Sequence, residues 1–124
     1  MRNPKFDLEE RLLAFSVRVI RVTESMKRSR AANHSSDQLL RAGTYPYGNR
    51  GEAEGTESRN EFIHKLKICY EKLRESRRWL KLVQRASLIT KPDHVDGLIA
   101  EADERVRIFA SSIRTAQSNG GTTT

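Results

Sequence analysis

The sequence predicts an all-α protein, an antiparallel up-down-up-down four-helix bundle in one domain, and three observations predict it. The 124 residues include only 7 Gly and 3 Pro, which are few turn formers for a chain rich in residues that favour helices. Apolar residues recur at alternating steps of four and three in successive segments, and this spacing keeps them on one helix face. No segment alternates apolar and polar residues as a strand does.

The first helix is predicted over residues 7–29. Asp7 and Glu10 are three residues apart, as in a capping box, where each side chain accepts a backbone hydrogen bond from the other residue. The core positions of this helix are Leu8, Leu12, Phe15, Val19, Val22 and Met26. The polar residues 33–36 are predicted to connect it to the second helix.

The second helix, over residues 36–54, has the weakest apolar pattern. It opens at Ser35 or Ser36 and contains Gly43, Pro46 and Gly48. Glycine and proline lower helix stability, and proline also lacks the backbone N–H donor. We therefore expect a helix that is kinked here or closely packed against a neighbour.

The third and fourth helices are predicted over residues 58–87 and 91–116. Ser58 and Glu61 form a second capping box, and Pro92 suits the first turn of the fourth helix. The core positions are Phe62, Leu66, Cys69, Leu73, Ser76, Leu80 and Val83, followed by Val95, Ile99, Ala102, Val106, Phe109 and Ile113. The bundle thus spans residues 1–117, and residues 118–124, which have nothing to bury, are predicted to be a disordered tail.

Two of the helices carry a second line of apolar residues. These are Leu13, Val17 and Ile20 on the first helix, and Ile68, Trp79 and Leu82 on the third. A helix in a monomeric bundle needs one apolar stripe, and excess exposed apolar surface marks an interface. The pattern favours a homo-oligomer; the alternative is that neighbouring helices bury these helices over a wide arc.

Positive charge is concentrated on the third helix. The chain has a formal net charge of +7, which raises the expectation of a polyanionic partner. Five cations at helical spacing form what we call the basic ridge: Lys67, Arg74, Arg78, Lys81 and Arg85. Three more form the basic cluster at the end of the first helix: Lys27, Arg28 and Arg30. Evenly spaced cations on a rigid helix suit the phosphates of RNA or DNA. The alternative is a solvated face, partly offset by five acids of the fourth helix: Asp93, Asp96, Glu101, Asp103 and Glu104.

The residues that catalysis or metal binding needs are not brought together by any motif. His34, His64 and His94 fall in different segments, and none forms a zinc or di-iron pattern. Cys69 occupies a core position, where cysteine usually behaves as a small apolar residue. No glycine-rich phosphate loop is present. We therefore predict a protein that is not an enzyme and has no metal or cofactor. The charged N-terminus and the absence of a long apolar run predict a cytoplasmic location.

The middle of the chain resembles a known family. The matching runs are QLLRAGT at 38–44, NRGEA at 49–53, SRNEFIHKLKI at 58–68 and ESRRWL at 75–80. They resemble the four-helix-bundle proteins encoded by intervening sequences of bacterial large-subunit rRNA genes. The resemblance covers about residues 7–115. The sequence departs from the family pattern at Tyr45–Gly48, where small or aliphatic residues are common, and at Arg50, where an aromatic or aliphatic residue is usual.

The resemblance implies a ring-like homopentamer and no catalytic residues. The family is similar to the accessory variability proteins of diversity-generating retroelements, basic pentameric bundles that bind a reverse transcriptase and its template RNA. Asn49 and Glu52 match the family motif, and we interpret them as a structural polar pair that holds helix two. Two hypotheses follow: a nucleic-acid-binding accessory protein, with a reverse transcriptase as a partner, or a protein-interaction scaffold that binds no nucleic acid.

Overall fold

The computed structural model describes residues 4–54 and 58–121, which form four α-helices and one short 3₁₀ helix. The helices are α1 (Pro4–Glu24), α2 (Arg30–Glu54), α3 (Arg59–Arg85) and α4 (Asp96–Gly121), and the 3₁₀ helix (Pro92–Val95) precedes α4. These two ranges contain no strand, only an isolated bridge between Met26 and Ile89. The all-α class and the four helices predicted from the sequence are confirmed.

The starts of α1 and α3 test the two predicted capping boxes. Ser58 caps α3 as predicted, because its side chain accepts a hydrogen bond of 3.1 Å from the backbone N–H of Glu61. In contrast, α1 begins at Pro4, three residues before Asp7. Proline suits a first helical position because the N–H it lacks would have no partner there.

The start of α2 differs from its predicted position. The helix begins at Arg30, because Ser29 and not Ser35 is the cap. The Ser29 hydroxyl accepts a hydrogen bond of 3.0 Å from the Ala32 N–H, and the Ser29 carbonyl accepts one of 2.9 Å from Asn33. Residues 33–36 are therefore helical, and the connection from α1 covers residues 25–29. The helix continues past the buried Pro46 to Glu54.

The connection from α3 to α4 follows a Schellman motif. Ser87 has a φ of 54°, its N–H donates to Gln84 O at 3.2 Å, and the Leu88 N–H donates to Val83 O at 3.0 Å. This is the pattern of a left-handed residue just past the end of a helix. The chain then forms the 3₁₀ helix before α4, so α4 begins five residues later than predicted and ends at Gly121. It overlaps the start of the predicted tail, and residues 122–124 lie outside the described residues.

The core is aliphatic with two phenylalanines at its centre. The positions predicted on α1, α3 and α4 are buried or pack half-buried against the buried set. The fully buried side chains from these helices include Leu12, Phe15, Val19, Leu73, Leu80, Val83, Leu98 and Phe109. Each successive pair of helices packs together, and α1 also contacts α4.

The backbones of α1 and α2 approach closely at Gly43. A Cβ atom added to Gly43 would lie 2.7 Å from both γ-carbons of Val19. The Ser16 hydroxyl donates a hydrogen bond of 3.3 Å to the Gly43 carbonyl. This contact agrees with the close packing expected for the glycine-containing part of α2.

Candidate nucleic-acid interface

Two connections between helices are joined by backbone hydrogen bonding. The Lys27 N–H donates to the Leu88 carbonyl at 2.9 Å, and Met26 and Ile89 form the adjacent antiparallel bridge. The Schellman motif fixes the direction of the Leu88 backbone and so presents its carbonyl to Lys27. The α1–α2 and α3–α4 connections therefore lie side by side at one end of the molecule.

This pairing brings the basic cluster to the end of the basic ridge. Lys27, which Arg28 follows in the chain, is bonded to Leu88, three residues past Arg85. Arg85 is the last residue of α3, and Lys81 lies about one turn before it. Arg30 opens α2, and His34, one turn further on, contacts Trp79 of α3. We call the six residues gathered here the basic end: Lys27, Arg28, Arg30, Arg78, Lys81 and Arg85.

The residues of the basic ridge differ in their surroundings. Lys67, Arg78, Lys81 and Arg85 are exposed, and no carboxylate of the described residues forms an ion pair with them. Arg74 is half-buried; its guanidinium lies 3.4 Å from Glu71 and 5.6 Å from the centre of the Tyr70 ring. The available charge of the ridge is therefore concentrated in its last two turns.

The acids of α4 face other partners. Glu101 lies 2.6 Å from Arg18, and Asp103 lies 3.0 Å from Arg77. Glu104 lies 3.8 Å from Arg11, and Asp96 accepts a hydrogen bond of 2.6 Å from the Gln84 amide. These carboxylates have their partners on α1 and α3, and none of them forms an ion pair with Arg78, Lys81 or Arg85.

The two predicted interface lines differ in exposure. On α1, Leu13 is half-buried, whereas Val17 and Ile20 are 37% and 40% exposed. On α3, Leu82 is 44% exposed and Ile68 is half-buried. Trp79 packs against the core and meets the His34 ring edge-on at 5.8 Å. That contact agrees with the alternative interpretation, in which neighbouring helices bury α3 over a wide arc. Of the two apolar lines, the one on α1 is the more exposed.

Comparison with known proteins identifies the family. The family model of the 23S rRNA-intervening sequence protein matches residues 5–111. The chain belongs to this family. A solved structure, that of a protein with unknown function from the S23 ribosomal protein family of Bacteroides thetaiotaomicron, is similar at 27% identity with a TM-score of 0.79. The match covers 89% of this chain and 97% of that one. The comparison with curated proteins gave no match.

The Asn49 side chain, part of the predicted polar pair, makes a local contact. Its amide donates a hydrogen bond of 3.0 Å to the carbonyl of Tyr45, one turn earlier in α2. Glu52 lies in the same helix, but its side chain lies outside the described residues. The polar pair inferred from the family motif thus stays a prediction.

The described ranges 4–54 and 58–121 contain few candidate residues for a metal site or for a reactive cysteine. No group of three His, Cys, Asp or Glu residues there has the arrangement of a metal site. Cys69 is buried in the core. None of the helices in these ranges has the length and apolar character required to cross a bilayer.

Three arginines with notable surroundings were not predicted from the sequence. Arg105 is buried in α4; its Nη2 lies 3.4 Å from Glu104, and Nε and Nη1 have no hydrogen-bond partner among the described residues. Arg18 and Arg21 line a cleft together with Ser25 and His94. Arg18 and Arg21 are three residues apart and so lie on one side of α1, and Ser25 follows just past its end, but only the fold brings His94 to them.

Proposed function

We propose that this protein is a non-catalytic accessory protein that binds the phosphate backbone of nucleic acid through its basic end. The observation that carries the proposal is the 2.9 Å hydrogen bond from Lys27 to Leu88, since it brings two separate basic segments together. Six exposed cations on two helix ends and a connection would provide a positively charged surface. Such a surface gains affinity from counterion release and reads no base sequence.

The positions of the acids argue against a merely solvated basic face. Offsetting the ridge would require carboxylates near Arg78, Lys81 or Arg85, and the α4 acids pair with Arg18, Arg77 and Arg11 instead. Uncompensated like charges at one end of a small domain repel each other and lower its stability. A polyanionic partner would remove that repulsion on binding.

We also propose that the helices run up-down-up-down and that the protomers assemble as a ring-like homo-oligomer. The order of contacts supports the arrangement: His34 meets Trp79, while Tyr45, later in α2, meets Lys72, earlier in α3. The exposed Val17 and Ile20 on α1 support self-association. An oligomer would present several basic ends at once and raise affinity through avidity.

A reverse transcriptase is the protein partner that we propose. The support is the resemblance to the accessory variability proteins of diversity-generating retroelements. The basic end would then hold template RNA while another surface contacts the enzyme. Co-purification with a reverse transcriptase after ribonuclease treatment tests this, and loss of the complex on RNA removal would leave RNA as the only link.

The test of nucleic-acid binding is a pair of matched charge reversals. The triple variant Arg78→Glu, Lys81→Glu and Arg85→Glu changes the basic end. The control triple Arg41→Glu, Arg107→Glu and Arg114→Glu changes exposed arginines of α2 and α4 and lowers the net charge by the same amount. Fluorescence anisotropy with a structured RNA over a salt series measures both the affinity and its salt dependence.

We expect the basic-end triple to bind much more weakly and the control triple to bind nearly as the unaltered protein does. The slope of log affinity against log salt should fall by about three, since each lost phosphate contact lowers it by nearly one. Equal loss in both triples would mean that only net charge matters. No binding by the unaltered protein would favour the protein-interaction scaffold.

A further inference from the structure

A cleft of about 250 Å³ lies between α1 and the segment that leads into α4. Its polar lining consists of Arg18, Arg21, Ser25 and His94, and its apolar lining of Val22, Ile89 and Leu98. Ile89 and Leu98 are buried, so the floor is well packed. Among the described residues, no carboxylate lines the cleft, which makes it a candidate site for an organic anion.

Arg18 is held at the cleft by two features of α4. Its Nη1 lies 2.6 Å from the Glu101 carboxylate. Its Nη2 lies 3.1 Å from the point that a Cβ atom on Gly97 would occupy. The ion pair therefore fixes one edge of the guanidinium, while the missing side chain at position 97 leaves room for the other. A guanidinium carries five N–H donors in a rigid fork, so this pairing leaves donors for a ligand.

Arg21 supplies the second cation. It is exposed, and no carboxylate among the described residues forms an ion pair with it. Arg18 and Arg21 are three residues apart on one helix, so their side chains are neighbours and repel each other. Glu101 offsets only one of these two positive charges. An anion bound between the two guanidinium groups would offset the other charge and reduce their repulsion.

The shape and charge of the cleft select among anions. A terminal phosphate carries a charge of about −1.5 to −2 and three acceptor oxygens near neutral pH, whereas a backbone phosphodiester or a carboxylate carries a single charge. Two arginines match the dianion in charge and in hydrogen-bond geometry. The volume leaves space beyond the phosphate for a sugar, which would contact Ile89 and Leu98.

We propose that this cleft is a phosphomonoester site, in which Arg18 and Arg21 bind the phosphate and the apolar floor contacts the attached sugar. The phosphate could come from a free sugar phosphate or from the 5′ end of an RNA strand; the second source rests on the proposed function. The cleft adjoins the basic end because Ile89 pairs with Met26 in the bridged connections. A strand bound there could place its 5′ phosphate in the cleft.

The experiment uses the full chain and three probes. Two are RNA oligonucleotides of one sequence, one with a 5′ phosphate and one with a 5′ hydroxyl, and the third is ribose 5-phosphate. The variants are Arg21→Gln and a control, Arg114→Gln, which removes one exposed arginine roughly 25 Å along α4 from Gly97. Anisotropy measures the oligonucleotides and calorimetry measures ribose 5-phosphate.

We expect the 5′-phosphorylated strand to bind about ten-fold tighter, since one hydrogen bond to a charged group contributes on that order. Arg21→Gln should remove this preference, and Arg114→Gln should retain it. The basic-end triple should weaken both oligonucleotides and leave their ratio unchanged. The failure of one site is therefore distinguishable from the failure of the other.

A second variant tests the position of Arg18 without removing charge. Gly97→Ala should displace the Arg18 guanidinium and lower the preference, while alanine at this helical position does not impair folding. One outcome is that the protein binds no RNA at all. In that case the site would still be supported if the protein binds ribose 5-phosphate and the Arg21→Gln variant does not. Equal affinity for both oligonucleotides without ribose 5-phosphate binding would overturn it, as would a preference that survives Arg21→Gln.

Discussion

At the scale of single residues, Ser87 has the most unusual backbone. Among the described residues it is the one non-glycine residue with a positive φ, at 54°. A side chain in the left-handed region costs free energy because its Cβ approaches the backbone carbonyl. The conformation persists because the hydrogen bonds from Ser87 and Leu88 close the end of α3. This residue therefore helps to place the Leu88 carbonyl that joins the two connections.

Replacing Ser87 with glycine should stabilise the protein. We expect Ser87→Gly to raise the free energy of unfolding by about 1 kcal/mol, since glycine adopts this region without a Cβ penalty. The control Ser111→Gly, at an exposed site inside α4, should lower it by about 0.5 kcal/mol. Urea denaturation at one fixed protein concentration measures both. A loss of stability in Ser87→Gly would show that the Ser87 side chain contributes more than the strain costs.

At the scale of elements, the contact between α1 and α2 is set by Gly43. Both γ-carbons of Val19 lie where a Cβ on residue 43 would clash. Val19 is fully buried, and a β-branched side chain has few rotamers in a helix. The valine cannot turn away, so the helices would have to separate. Gly48 of the same helix is exposed and has nothing within 4 Å of such a Cβ.

These two glycines form a matched pair for mutation. Gly43→Ala should destabilise the protein by about 1 to 3 kcal/mol, the usual cost of overpacking a core. Gly48→Ala should be neutral or stabilising by about 0.5 to 1 kcal/mol, because alanine is the better helix former. Thermal unfolding followed by circular dichroism compares them. A gain in both variants would mean that α1 and α2 can adjust at this contact.

The helix faces could be predicted from a periodic apolar pattern, whereas the start of α2, which depends on one capping residue, could not. The core positions of α1, α3 and α4 follow from periodicity, because alternating steps of three and four define one helix face. The start of α2 was predicted wrongly because Ser29, Ser35 and Ser36 are equally good caps in sequence, and only the fold distinguishes them. The cleft could not be predicted, since only tertiary packing places His94 and Arg18 in the lining of one cleft.

At the scale of the whole molecule, the charge is distributed unevenly between surfaces. The basic ridge and the basic cluster were predicted separately, and the hydrogen bond between the connections unites them. Local patterns cannot reveal such a pairing, because it depends on how two distant loops meet. The exposed Val17 and Ile20 lie on α1, a different helix from the ridge. One surface is thus available for self-association while the ridge faces solvent.

Assembly through α1 gives the last prediction. Light scattering after size exclusion should give a mass several-fold above the 14.2 kDa of one chain. The double variant Val17→Glu and Ile20→Glu should reduce it to that of the monomer, because charged side chains on an apolar interface must be desolvated without partners. Leu40→Glu with Tyr47→Glu is the control, since those residues are equally exposed but lie on α2, at 38% each. If the control dissociates and the α1 variant does not, the interface lies on α2. A monomeric unaltered protein would contradict self-association itself, and binding to nucleic acid would then depend on a single basic end without avidity.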